Sequence, residues 1–173
     1  MNVLIEFGKI LLPAILVLYA MYITMKSILV KELEKKEMEL KVENSKTILP
    51  IRLQAYERVA LFLERVSPNN LILRLNSSEL NAREFQHVLL HEVREEFNHN
   101  LSQQIYLSEE LWDLATKTVD QIIVLINTSA ENLDKKAGSM DLAREIFKEI
   151  SKEKADPVKQ ALSAVRKEIG ELF

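Results

Sequence analysis

The 16 residues from Ile10 to Met25 carry no charged side chain, and such a run narrows the folds open to the chain more than any other stretch. Val3-Leu4-Ile5 and Phe7-Gly8 extend it backwards, with only Glu6 and Lys9 as interruptions. Those two lie three apart, so on a helix they share a face and neutralise each other near a bilayer surface. At 1.5 Å per residue, residues 3–25 make about 34 Å of helix, enough for a hydrocarbon core of about 30 Å. Tyr19 and Tyr22 fall near the far end, where interfacial aromatics sit. Pro13 is tolerated in a membrane helix when local adjustment satisfies the freed carbonyl. A cleaved signal peptide wants a basic start and a small-x-small site, whereas this start is neutral and Tyr19-Ala20-Met21-Tyr22 is a poor site. Residues 1–26 are therefore expected to be a retained transmembrane anchor that meets the lipid bilayer through residues 3–25.

Lys26, Lys31, Lys35 and Lys36 follow the run, and only Lys9 and the amino terminus precede it. The positive-inside rule then expects the N-terminus outside and the C-terminal bulk in the cytoplasm. Residues 27–48 read as a charged helical stalk continuous with the anchor. Between Lys31 and Lys46 there are five Lys, five Glu and no Gly or Pro. Glu32–Lys36 and Glu37–Lys41 are i,i+4 pairs in the favourable order. Leu33 and Leu40 stand one heptad apart, too thin a row to specify a coiled coil, although a self-associating stalk remains an alternative.

Residues 49–173 read as an all-α bundle of about five or six helices on the cytoplasmic side. Pro50 disfavours helix at Leu49 and is expected to break the chain before a helix over 51–66, faced by Ala55, Val59, Phe62, Leu63 and Val66. Leu71 to Leu75 has no strand partner and is read as a short helix. Asn81 caps a helix over 82–103 with a stripe of Phe85, Leu89, Val93, Phe97 and Leu101. Ser108 caps the next, over 109–133, and Ala143, Ile146, Phe147 and Ile150 line another over 140–154. Asp156-Pro157 is an N-cap followed by Pro at the first helical position, and the last helix shows Val158, Ala161, Leu162, Val165, Ile169 and Leu172.

Two stretches, LPIRLQAYERVALFLERVSPNNLILR from Leu49 to Arg74 and HEVREEFNHNLSQQIYLSEELW from His91 to Trp112, resemble an uncharacterised family of small single-pass membrane-anchored helical proteins of the Bacteroidota. The resemblance spans nearly the whole chain and implies a bacterial inner-membrane address. It implies nothing about activity.

Several chemistries are excluded. The chain has no Cys, so disulfides and thiolate metal sites are absent. A formal charge of −3 gives no electrostatic ground for nucleic acid. Three isolated Gly residues build no phosphate-cradling loop. Glu-x-x-His occurs twice, at Glu84–His87 and Glu96–His99, the pair that di-iron bundles use. Both fall on one helix about 18 Å apart, so a single chain cannot converge them. His87, His91, Glu95 and His99 step by four along that helix, and with Glu96 they are the weak metal candidates. The row is read first as a polar outer face. The amide-rich cluster of Asn98, His99, Asn100, Gln103 and Gln104 is read as a cap and turn before Tyr106, and as the candidate partner contact. No catalytic residue and no cofactor is assigned. The expectation is a non-enzymatic scaffold or accessory subunit that contacts another membrane or cytoplasmic protein, with a homo-oligomer as an option. The alternative is a metal-binding or enzymatic bundle using the His/Glu row.

Overall fold

The computed structural model of the protein describes residues 2–152 and 155–171, and the side chains of residues 2–10, 12–14, 44 and 45 lie outside the description. The described residues form six α-helices and one 3₁₀ segment: α1 (Asn2–Val66), α2 (Pro68–Leu75), α3 (Ala82–Asn100), the 3₁₀ segment (Leu101–Tyr106), α4 (Glu109–Glu131), α5 (Ser139–Ile150) and α6 (Pro157–Gly170). The chain divides into two compact units, Met1–Leu49 and Pro50–Phe173.

In the first unit, every described side chain from Ile15 to Glu43 is exposed. Among the described residues no helix is long and apolar enough to cross a membrane. The expected span of residues 3–25 falls partly on 3–10 and 12–14, including Glu6, Lys9 and Pro13, which lie outside the described side chains. In the stalk the ion pair formed among the described residues is Lys35–Glu39, at 3.8 Å and exposed, in place of the expected Glu32–Lys36 and Glu37–Lys41. Exposed pairs of this kind exchange cheaply with one another, because each contributes so little.

The expected break at Pro50 is absent: α1 continues through it. Proline inside a helix removes one hydrogen bond and crowds the preceding turn, at a cost of about 3 kcal/mol. Burial of Ala55, Tyr56, Val59, Phe62, Leu63 and Val66 just beyond it offsets that cost, since a buried side chain of this size contributes about 1.5–3 kcal/mol.

The second unit is a bundle whose starts are fixed by local chemistry. The Asn81 side chain accepts from Arg83 N and Glu84 N, and Asn81 N donates to the Glu84 carboxylate, a capping box that opens α3. Ser108 Oγ accepts from Leu111 N to open α4, and Asp156 accepts from Val158 N and Lys159 N to open α6. An isolated bridge between Asn81 and Gly138 ties the start of α3 to the start of α5. Helices α3, α4 and α5 pack on one another, with α6 against α4 and α2 against α3 and α5. Their shared core includes Phe85, Leu89, Val93, Ile122, Ile126, Leu142, Ile146 and Val165. Replacing Asn81 by Ala should lower stability by about 1 kcal/mol. Urea unfolding of the full chain measures this, and an unchanged midpoint counts against the capping box.

Three expectations about faces need correction. The helix expected over 82–103 ends at Asn100 and tightens into the 3₁₀ segment, so Leu101 turns out to solvent. The helix expected over 140–154 stops at Ile150, and residues 153–154 lie outside the description, as does Leu172. Phe147, placed on the core stripe by its spacing, is 41 % exposed beside a fully buried Ile146. One residue is a rotation of about 100°, which carries its ring past the edge of the core.

Candidate functional site

The polar centre of the bundle joins residues far apart in sequence. Tyr56 is completely buried, and its hydroxyl donates to Glu168 Oε1 at 2.7 Å. Arg52 donates to the Tyr56 oxygen at 2.9 Å and to the Tyr106 carbonyl at 3.2 Å. The other Glu168 bonds come from the α4 cap: Ser108 N at 3.0 Å and Ser108 Oγ at 2.5 Å. One carboxylate thus links α1, the start of α4 and the end of α6, and Arg52 ties the end of the 3₁₀ segment to the same group. Burial pushes the Glu168 carboxyl up, but the bonds from Ser108 and Tyr56, with the Arg52 charge, outweigh it and hold the group below its ordinary value. The Tyr56 hydroxyl is raised, first by burial and then by its bond to the Glu168 carboxylate. A cleft of about 590 Å³ opens beside this group, lined by Arg52, Ser108, Leu114, Lys167 and Glu168 among others. The sequence showed the Ser108 cap, but nothing local marks Arg52, Tyr56 or Glu168 as its partners.

The His/Glu row lies where the helical period placed it. His87, His91, Glu95 and His99 are all exposed along α3. Glu96 differs: it is half-buried and bonded to Arg65 of α1, which also reaches Glu92 at 3.8 Å. Glu92 in turn holds Arg74 of α2. Among the described residues no three His, Asp or Glu side chains gather as a metal would require.

The amide cluster splits in two. Asn98, His99 and Gln104 are exposed, whereas Asn100 and Gln103 are buried. The Asn100 amide donates to the Glu96 carbonyl at 2.8 Å, closing the last turn of α3, and Gln103 donates to Ser102 Oγ at 3.1 Å. Those two are structural. Ile105, 72 % exposed, joins the outward three and was not anticipated.

A second surface was not anticipated either. Leu73 on α2 is 74 % exposed and Met140 on α5 is 55 % exposed. With Ile72, Asn76 and Phe147 they line a cavity of about 400 Å³. Phe147 also lines a neighbouring cavity of about 590 Å³, bounded by the starts of α2 and α6 and by Leu125 and Ile150. Phe147 is the side chain that the two cavities share. Soluble proteins usually bury side chains of this kind unless the patch contacts something else.

No curated protein and no solved structure matches the chain. The sequence resemblance is confirmed at the level of the family: residues 2–172 match the model described as "Family of unknown function (DUF7935)", and the chain belongs to that family.

Proposed function

We propose that the chain is a membrane-anchored helical scaffold or accessory subunit of a bacterial inner-membrane assembly, non-enzymatic, with its N-terminus outside and its bundle in the cytoplasm. The observation that carries this reading is the segment Ile15 to Met25. Nine large apolar or aromatic side chains there, from Ile15, Leu16, Val17 and Leu18 to Met25, are exposed on every side of the helix. Leaving them in water forgoes on the order of 10–20 kcal/mol of burial. A coiled-coil partner covers only one seam of a helix, whereas lipid covers all of it. The Thr24 hydroxyl bonds the Ala20 carbonyl at 2.7 Å, so it brings no unpaired donor into that environment. Lysines on the far flank support the orientation. The binding role rests on the exposed apolar side chains of Leu73 and Met140 and on the outward residues of the 3₁₀ segment.

Membranes from cells making the full chain, washed in alkaline carbonate, should retain it in the pellet. Protease added from the periplasm should leave the C-terminal unit intact. Release into the wash removes the anchor, and digestion from outside reverses the topology. A second reading, self-association through the stalk, is favoured by exposed Leu33 and Leu40 one heptad apart. It predicts that lysine crosslinking in those membranes captures only copies of the chain.

A further inference from the structure

We infer that Met140 is a site of oxidation by hydrogen peroxide, where Asn76 shields one face of the sulfur so that one sulfoxide epimer forms in excess. This chemistry needs neither the anchor nor a binding partner.

Four of the five Met residues precede Leu49, so Met140 carries the only thioether of the second unit. It stands in the first turn of α5 and is 55 % exposed, within reach of a small oxidant. Met38, in the stalk, is exposed as well. What separates the two is a donor. Asn76, at the C-terminal end of α2, donates its Nδ2 to Met140 Sδ at 3.0 Å. Among the described residues this is the one hydrogen bond to a thioether. The sulfur is a weak acceptor, and its two lone pairs lie on opposite faces of the C–S–C plane. Asn76 occupies one of them and stands in front of it. The other faces the oxidant.

In the reaction the open lone pair attacks one peroxide oxygen, and the S–O bond forms as the O–O bond breaks. Sulfur gives up two electrons and the peroxide is reduced. The departing hydroxide takes the proton of the transferred oxygen and leaves as water. Because the Asn76 donor draws electron density from the sulfur, the site is marked by the handedness of its product and not by its speed. The sulfoxide is polar and chiral, and its oxygen is a stronger acceptor than the sulfur that Asn76 already reaches. Oxidation therefore sets a polar group among Ile72, Leu73, Ala143 and Phe147, which line the same cavity. Each of the two methionine sulfoxide reductases restores one epimer. A single one of them should therefore return most of Met140, whereas an even mixture needs both.

The test treats the folded full chain, purified in detergent, with hydrogen peroxide and then digests it. Sulfoxide configuration is covalent, so digestion preserves it. Peptides holding Met140 and Met38 are offered separately to the two epimer-specific reductases, and mass spectrometry reads the oxygen that remains. At Met140 one epimer should exceed the other about fivefold or more, which is what breaking one hydrogen bond to open the shielded face costs. At Met38 the two epimers should be close to equal. Asn76→Asp keeps the shape of the side chain and removes the donor, so it should bring the Met140 ratio to that of Met38. Trp112 fluorescence before treatment confirms that the variant is folded, and Asn76→Ala replaces it should it not fold. Near-equal epimers at Met140 in the unaltered chain overturn the inference. So does an equal excess at Met38, a ratio indifferent to loss of the Asn76 donor, or a Met140 that stays reduced while Met38 is oxidised.

Discussion

Phe62→Ala lowers the unfolding free energy of the bundle by about 3–5 kcal/mol, the range for emptying a buried phenylalanine site. The ring is 1 % exposed and sits 6.1 Å, centroid to centroid, from Phe97 of α3. Phe97 in turn stacks on Trp112 of α4 at 5.7 Å. Three helices thus meet through one run of aromatic rings, and each such pair contributes about 0.5–1.5 kcal/mol beyond its buried area. Truncation leaves a cavity that rigid neighbours cannot close, and the loss corresponds to a fall in melting temperature of about 10 °C or more. Trp112 is the only tryptophan, so its fluorescence reports the bundle without interference from the rest of the chain. Leu61→Ala on the same helix, at an exposed position, should stay within about 0.5 kcal/mol. If the two variants unfold at the same denaturant concentration, the end of α1 is not packed on α3 and α4 in solution.

What could be read from the chain divides by sequence distance. Helix starts at Asn81, Ser108 and Asp156 were legible because a cap and the amides that it serves lie within three residues. The all-α class followed from apolar spacing that no strand period matched. Pro50 misled because its effect is also local: it biases the preceding residue, and nothing nearby announces that burial beyond it outweighs the bias. Phe147 misled for a finer reason, since a stripe of four apolar residues does not say where the core ends. Asn100 and Gln103 looked like surface amides and became interior ones when α3 tightened into a 3₁₀ turn. The exposed surface around Leu73 and Met140 and the centre around Glu168 had no local signature. Tyr56 and Glu168 are 112 positions apart, and only the folded bundle brings them together.

That same pair gives the bundle a pH dependence of known sign. Glu168→Gln should cost about 1.5–3 kcal/mol at neutral pH, the range for hydrogen bonds to a charged group. The amide loses the charge facing Arg52 and one of the acceptors that Ser108 uses. Because the folded-state pKa of Glu168 is lowered, its contribution is complete above the unfolded carboxylate value of about 4.3. It drains away as pH falls from there through the folded value. The gap between wild type and Glu168→Gln should therefore be constant from pH 6 to 8 and close on acidification. Tyr56 acts at the other end: its pKa is raised, so its contribution is full below about 10 and falls as pH climbs towards the folded value. Tyr56→Phe should remove that alkaline loss while costing about 1 kcal/mol at neutral pH. The two substitutions share a hydrogen bond, so the double variant should lose less than the sum of the singles. Denaturant unfolding followed through Trp112 at pH 3, 7 and 10.5 tests all of this. A gap between wild type and Glu168→Gln that persists undiminished at pH 3 would mean that the carboxylate charge is not what the Arg52, Tyr56 and Ser108 donors hold.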